Sequence, residues 1–226
     1  MHEPSAPRLR IRSQDDLLRL RRLLIAPIGG DELNSDILSQ DYEWTDDAVK
    51  VVEVYKWICN RLKLLSSRLI AFVEQGSNGA LVHFSDIPSA TEAAFGIQKS
   101  LSALGTALKD ATHRISGLLD WNGAESSLHS QFRRTLGPLL LAEWQLMAKF
   151  LAETNRLNAA VSCHLSLIAH NAESFCNQGD WSTANALPVH RGLQLSMRRI
   201  SMQKAILEEI ADALEKIDNT RSQLDC

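Results

Sequence analysis

Four residues within one stretch, Cys163, His164, His170 and Glu173, carry side chains that bind transition metals. On a helix Cys163 and His170 fall two turns apart on one face, and His170 stands three residues before Glu173. That spacing lets neighbouring side chains reach a common ion. A di-iron bundle needs Glu-x-x-His from two helices together with further inward glutamates. The sequence has neither, so the group reads as a helix surface or a core-edge histidine, and no metal is expected. Two acidic pairs, Asp15 with Asp16 and Asp46 with Asp47, could suit metal-bound diphosphate chemistry. Each stands where a helix should begin, and carboxylates there stabilise the free N–H groups and the helix dipole. No matching acidic motif lies on another helix, and Glu208 with Glu209 reads as a solvated face. The phosphate loop GxxxxGK, the zinc motif HExxH, the nucleophile elbow GxSxG and the dinucleotide motif GxGxxG are all absent. No catalytic residue or cofactor is therefore assigned, and the expected class is non-enzymatic.

The stretch PRLRIRSQDDLLRLRRLLIAPIGG carries a different chemistry, that of cationic recognition. Residues 1–28 hold Arg8, Arg10, Arg12, Arg19, Arg21 and Arg22 against Glu3, Asp15 and Asp16, a balance of +3, so the remainder of this −3 chain carries −6. On a helical wheel Leu17, Leu20 and Leu24 share one face, with Arg19, Arg22 and Asp15 opposite. Such a helix rests on an anionic membrane or docks on an acidic partner, and the six arginines are the candidate contacts. The favoured alternative packs the leucines along a bundle and lets the arginines snorkel outward. The acidic overall balance argues against a surface built to hold nucleic acid.

The elements that position these groups follow from spacing. A short helix is expected near Gln14–Ala26. Thr45, Asp46 and Asp47 open a long helix whose apolar series runs Ala48, Val51, Tyr55, Ile58, Leu62, Leu65, Leu69, Phe72, with Gly76 as its stop. A second begins with the capping box Ser89 to Glu92 and continues through Ala90, Ala94, Ile97, Leu101, Leu104, Leu108, Ala111, Ile115 and Leu118. Trp121, Asn122 and Gly123 form a reversal, a short helical piece spans about 124–136, and Gly137 with Pro138 should interrupt the chain.

The third long pattern is Leu140, Trp144, Met147, Leu151, Thr154, Asn158, Val161, Leu165, Ile168, Ala172, Phe175. The fourth is Leu193, Ser196, Ile200, Gln203, Leu207, Ile210, Leu214, Ile217. Thr154, Asn158, Ser196 and Gln203 are polar residues in otherwise apolar seams, positions that fix register, mark a contact surface or lie at a solvated edge. Four segments sharing a 3.5-residue repeat, each roughly 45 to 55 Å long at 1.5 Å per residue, predict an all-α fold. The expected architecture is an elongated antiparallel four-helix bundle of coiled-coil-like helices over residues 45–226, preceded by a basic segment, 1–44.

Length and composition agree. The 226 residues are 45% hydrophobic but only 6% aromatic, so leucine and alanine carry the core and helices are favoured over a sandwich or barrel. Cys59, Cys163, Cys176 and Cys226 are scattered without CxxC spacing, as expected of free thiols in a reducing compartment. No uncharged apolar run reaches the length of a membrane span and no signal-peptide core is seen. A cytoplasmic protein, peripheral to a membrane if membrane-associated at all, is the expectation.

The helices KWICNRLKLLSSRLIAFVEQ, QKSLSALGTALKDATHRI and TLGPLLLAEWQLMAKFLAETNRLNAAV resemble, in their heptad spacing, the BAR domains of sorting nexins. That resemblance covers about residues 46–226 and implies a dimer of long kinked helices at a curved endosomal membrane. The turn Trp121 to Gly123, followed by Ala124 and Phe132, is similar to the hairpin of small secreted WxG-type proteins. The expected function is a helical scaffold or adaptor acting through self-association or a protein partner. An effector whose N-terminal amphipathic helix engages membranes is the alternative.

Overall fold

A computed structural model describes residues 9–28, 44–77, 87–119, 126–178 and 183–223. These form an all-α helical bundle with no strand among the described residues: α1 (Gln14–Ile25), α2 (Ala48–Ser77), α3 (Ile87–Leu119), α4 (Ser127–Thr135), α5 (Gly137–Gln178) and α6 (Thr183–Gln223). The helices supply two compact units. The first comprises Met1–Leu64, Ser102–Lys149 and Ala211–Cys226, and the second Leu65–Leu101 and Phe150–Ile210. In the first unit α2 and α5 begin while α3 and α6 end. In the second α3 and α6 begin while α2 and α5 end.

Capping chemistry sets the helix starts. Ser13 Oγ accepts from the Asp16 backbone N–H at 3.1 Å, and Asp16 Oδ2 accepts from the Ser13 N–H at 3.2 Å, a reciprocal capping box for α1. At α2 the helix opens at the expected Thr45, Asp46 and Asp47 stretch, with one of the three as its cap. Asp47, not Thr45, caps the helix, its Oδ1 accepting from Val49 N–H at 2.9 Å and Lys50 N–H at 3.4 Å. Thr45 Oγ1 accepts from Asp47 N–H instead. At α3 the helix begins at Ile87, which places the expected Ser89 cap inside its first turn. The chain does break before Pro138: α4 ends at Thr135, Leu136 is a turn, and α5 begins at Gly137.

The apolar series are the core. On α3 Leu101, Leu104, Leu108, Ala111, Ile115 and Leu118 are all buried. On α2 the buried row reads Ala48, Val52, Tyr55, Cys59, Leu62, Ser66, Leu69, Val73, an unbroken alternation of four and three. It departs from the expected row late in the helix, where Leu65 and Phe72 are only half-buried while Ser66 and Val73 face inward. A heptad repeat advances the true helical face by about 20° per seven residues. The small polar Ser66 therefore occupies a seam position that hydrophobicity alone assigns to Leu65.

Candidate functional site

The described part of the N-terminal basic segment, residues 9–28, is built into the first unit. Residues before α1 run extended beside the start of α2: Arg10 N–H donates to the Asp46 carbonyl at 2.7 Å and Ala48 N–H donates to the Arg10 carbonyl at 3.3 Å. Side chains of an extended chain alternate, so Leu9 and Ile11 point into the core while Arg10 and Arg12 point out. Both arginines meet Asp46, at 3.5 and 3.2 Å. The buried His129 of α4 holds the same extended segment, its Nε2 3.3 Å from the Leu9 carbonyl and its Nδ1 2.6 Å from Ser126 Oγ. A carbonyl only accepts, so Nε2 carries the proton and, in the neutral ring, Nδ1 accepts from the serine hydroxyl.

Helix α1 buries Leu17, Leu20 and Leu24 and turns its arginines outward, as the snorkelling arrangement requires. Arg19 pairs with Glu53 of α2 at 3.4 Å. Exposed pairs of this kind add little stability, so the leucines are what dock the helix. On its other side α1 leaves a groove of about 280 Å³. Leu17, Leu18, Arg21 and Ile25 form one wall, with Gln14 at its end, and Gln131, Thr135, Leu136 and Leu139 form the other. No carboxylate lines it among the described residues. Leu18 is 47% exposed there, an aliphatic side chain without a full partner.

Behind α1 lies a buried charge cluster. Glu143 Oε2 on α5 accepts from the Arg221 guanidinium of α6 and from Lys56 Nζ of α2, the latter at 3.2 Å. Arg221 also donates to Asp218 Oδ1 at 2.9 Å. Among the described residues these ion pairs set two cations against two carboxylates, as burial demands. The cluster reaches the chain that leaves α1. Lys56 Nζ donates to the Ala26 carbonyl at 2.8 Å, Asp218 Oδ2 accepts from Ile28 N–H at 3.3 Å, and Lys63 Nζ donates to the Ile28 carbonyl at 2.5 Å. Cations on the carbonyls at and beyond a helix C-terminus complement its dipole. Nearby, Tyr55 and Cys59 lie one turn apart on α2. Burial first, then the neighbouring thiol and Glu143, push the Tyr55 phenol well above its ordinary value. Burial first, then Glu143, pushes the Cys59 thiol up as well.

The polar seam residues belong to the second unit. Thr154 is fully buried: its hydroxyl donates to the Phe150 carbonyl at 2.7 Å and lies 2.7 Å from Ser66 Oγ. With the Thr154 proton so committed, Ser66 donates and Thr154 accepts. Asn158 and Ser196 are buried and Gln203 half-buried, with Asn158 Oδ1 and Gln203 Oε1 lacking a hydrogen-bond donor among the described residues. Cys163 and His170 are exposed. His164 is partly buried, which lowers its pKa. No group of three or more His, Cys, Asp and Glu gathers as ligands among the described residues.

Of the six arginines singled out by sequence, the structure brings Arg10 and Arg12 to one carboxylate, gives Arg19 another, and sets Arg21 on the groove wall; Arg22 is exposed. Arg8, the turn at Trp121 to Gly123, Cys176, Cys226 and the Glu173 and Phe175 side chains lie outside the described residues. Sequence reasoning missed the cluster of Lys56, Glu143, Asp218 and Arg221. The signal was present: Glu143 follows Leu140 by three residues and Arg221 follows Leu214 by seven, both in step with a buried seam. No family model matches the chain, and neither does any curated protein or solved structure.

Proposed function

We propose that the protein is a non-enzymatic helical adaptor that binds a partner's helix in the groove between α1, α4 and the start of α5. The groove itself carries this reading. Its walls are helices, Leu17, Leu18, Ile25, Leu136 and Leu139 give it an aliphatic lining, and Leu18 is 47% exposed within it. An amphipathic helix inserting residues at i, i+3, i+4 and i+7 is the ligand such a groove fits. The arrangement favours this over an α1 that inserts into membranes, because the leucines such insertion would use, Leu17, Leu20 and Leu24, are buried inside the first unit. No helix among the described residues is long and apolar enough to cross a membrane.

The test is selection of helical peptides from a displayed library on the full chain, repeated with Leu18→Glu. Leu18 is 47% exposed, so the substitution leaves the core intact. Enriched peptides should share apolar residues at helical spacing and should be lost with Leu18→Glu. Enrichment that Leu18→Glu does not alter would remove the groove from the function.

A further inference from the structure

The charge around the groove names the chemistry of its occupant. From Leu17 to Ile28 the chain contains Arg19, Arg21 and Arg22 and no carboxylate, and from Ser126 to Ala142 it contains Arg133 and Arg134 and again no carboxylate. These two stretches supply both walls, in a chain whose net charge is −3. Arg21 lies in the wall itself. Arg22 is exposed four residues after Leu18, and Arg134 is exposed three residues after Gln131, so helical geometry sets each beside a lining residue. Of the two acids on α1, Asp16 is committed to the capping box, and the exposed Asp15, three residues before Leu18, is one acid against the exposed Arg22 and Arg134.

We propose that the groove is selective for an acidic amphipathic helix of a partner protein, with aliphatic anchors on one face and carboxylates along its flanks. This rests on the adaptor reading above. The aliphatic side chains of the two walls take the anchors. The exposed Arg22 and Arg134 meet the flanking carboxylates and reject a basic helix of the same shape, since like charges at a rim disfavour the wrong partner. An anionic bilayer offers the charge without the discrete helical knobs that a two-walled groove receives.

Three probes separate the outcomes: a helical peptide with leucines at i, i+3, i+4 and i+7 on a glutamate background, the same peptide on a lysine background, and vesicles of phosphatidylserine and phosphatidylcholine. Binding is followed through the methyl resonances of Leu18 and Leu139 in the full chain. The glutamate peptide should shift both and bind about tenfold or more tighter than the lysine peptide. That margin should shrink with salt and vanish in R22E/R134E, two exposed positions outside the core. Equal binding of both peptides overturns the charge selectivity while leaving the adaptor reading standing. Binding of neither overturns both. Vesicle binding that shifts these methyls when the peptides do not assigns the groove to a membrane, and self-association abolished by Leu18→Glu assigns it to a second copy; either overturns the proposal.

Discussion

Glu143 on α5 and Arg221 on α6 form an ion pair with both side chains fully shielded from solvent. Lys56 adds a second cation to the same carboxylate oxygen, and Asp218 balances the charge. A buried pair is costly to create and more costly to break, because the surviving partner keeps its desolvation penalty. Glu143→Gln should therefore lose about 3–5 kcal/mol of stability. Glu143→Leu with Arg221→Met should lose less than either single change, since Lys56 and Asp218 then remain as a balanced pair. Urea titrations of Glu143→Leu, Arg221→Met and the double variant measure this, and additive losses would show that the two charges do not act together.

The hydroxyl pair in the second unit obeys the same logic on a smaller scale. Thr154→Val leaves the buried Ser66 hydroxyl without its acceptor and should cost about 1–3 kcal/mol. Adding Ser66→Ala should recover most of that loss, because removing both partners leaves nothing unsatisfied. A double variant as unstable as Thr154→Val alone would mean that packing, and not the hydrogen bond, holds the position.

Burial at Cys59 and Tyr55 predicts both reactivity and pH dependence. In a C176S/C226S background, the exposed Cys163 should react with a thiol reagent in the native state and Cys59 only on unfolding. The raised folded pKa of Cys59 contributes stability that is full below its ordinary value of 9.0 and declines as pH rises above it. Tyr55 adds a second decline above its ordinary value of 10.0. Stability measured from pH 8 upward should thus fall, at up to about 1.4 kcal/mol per pH unit for each group, and Cys59→Ala should flatten the first part of that slope. An unchanged slope in Cys59→Ala would place the alkaline loss elsewhere.

These residues also mark how far the sequence can be read. Leu101 through Leu118, and Leu17, Leu20 and Leu24, are legible because an apolar residue at a helical period has one low-energy place to go. Ser66, Glu143 and Arg221 are not, because their side chains speak for the surface while their seam positions assign them to the interior. Only a partner on another helix, Thr154 for Ser66 and Arg221 for Glu143, makes such burial affordable, and partners far apart in sequence carry no periodic signal. The groove was legible in half: the arginine-rich wall stands out in composition, but Gln131, Thr135, Leu136 and Leu139 become the other wall only when α4 and α5 break at Leu136 beside α1.

Lys63 connects that groove to the rest of the unit without touching it. Its ammonium holds the Ile28 carbonyl just past α1, and Lys56 holds the Ala26 carbonyl, so the C-terminal end of α1 is tied to α2 at two points. Losing one charge-assisted hydrogen bond of this kind removes about 1.5–3 kcal/mol, and because this one holds the segment that follows α1, its loss favours the opening of α1. In Lys63→Met the amides of Leu20 and Leu24 should exchange about ten- to a hundredfold faster, while those of Leu207 and Leu214 change little. Since α1 forms one wall of the groove, peptide affinity should fall in step with the population of docked α1, although Lys63 lines no part of it. Uniform acceleration of all four amides would instead show that α1 opens only when the whole bundle does, and unchanged peptide affinity alongside a loosened α1 would show that the binding surface lies on the α4 and α5 side alone.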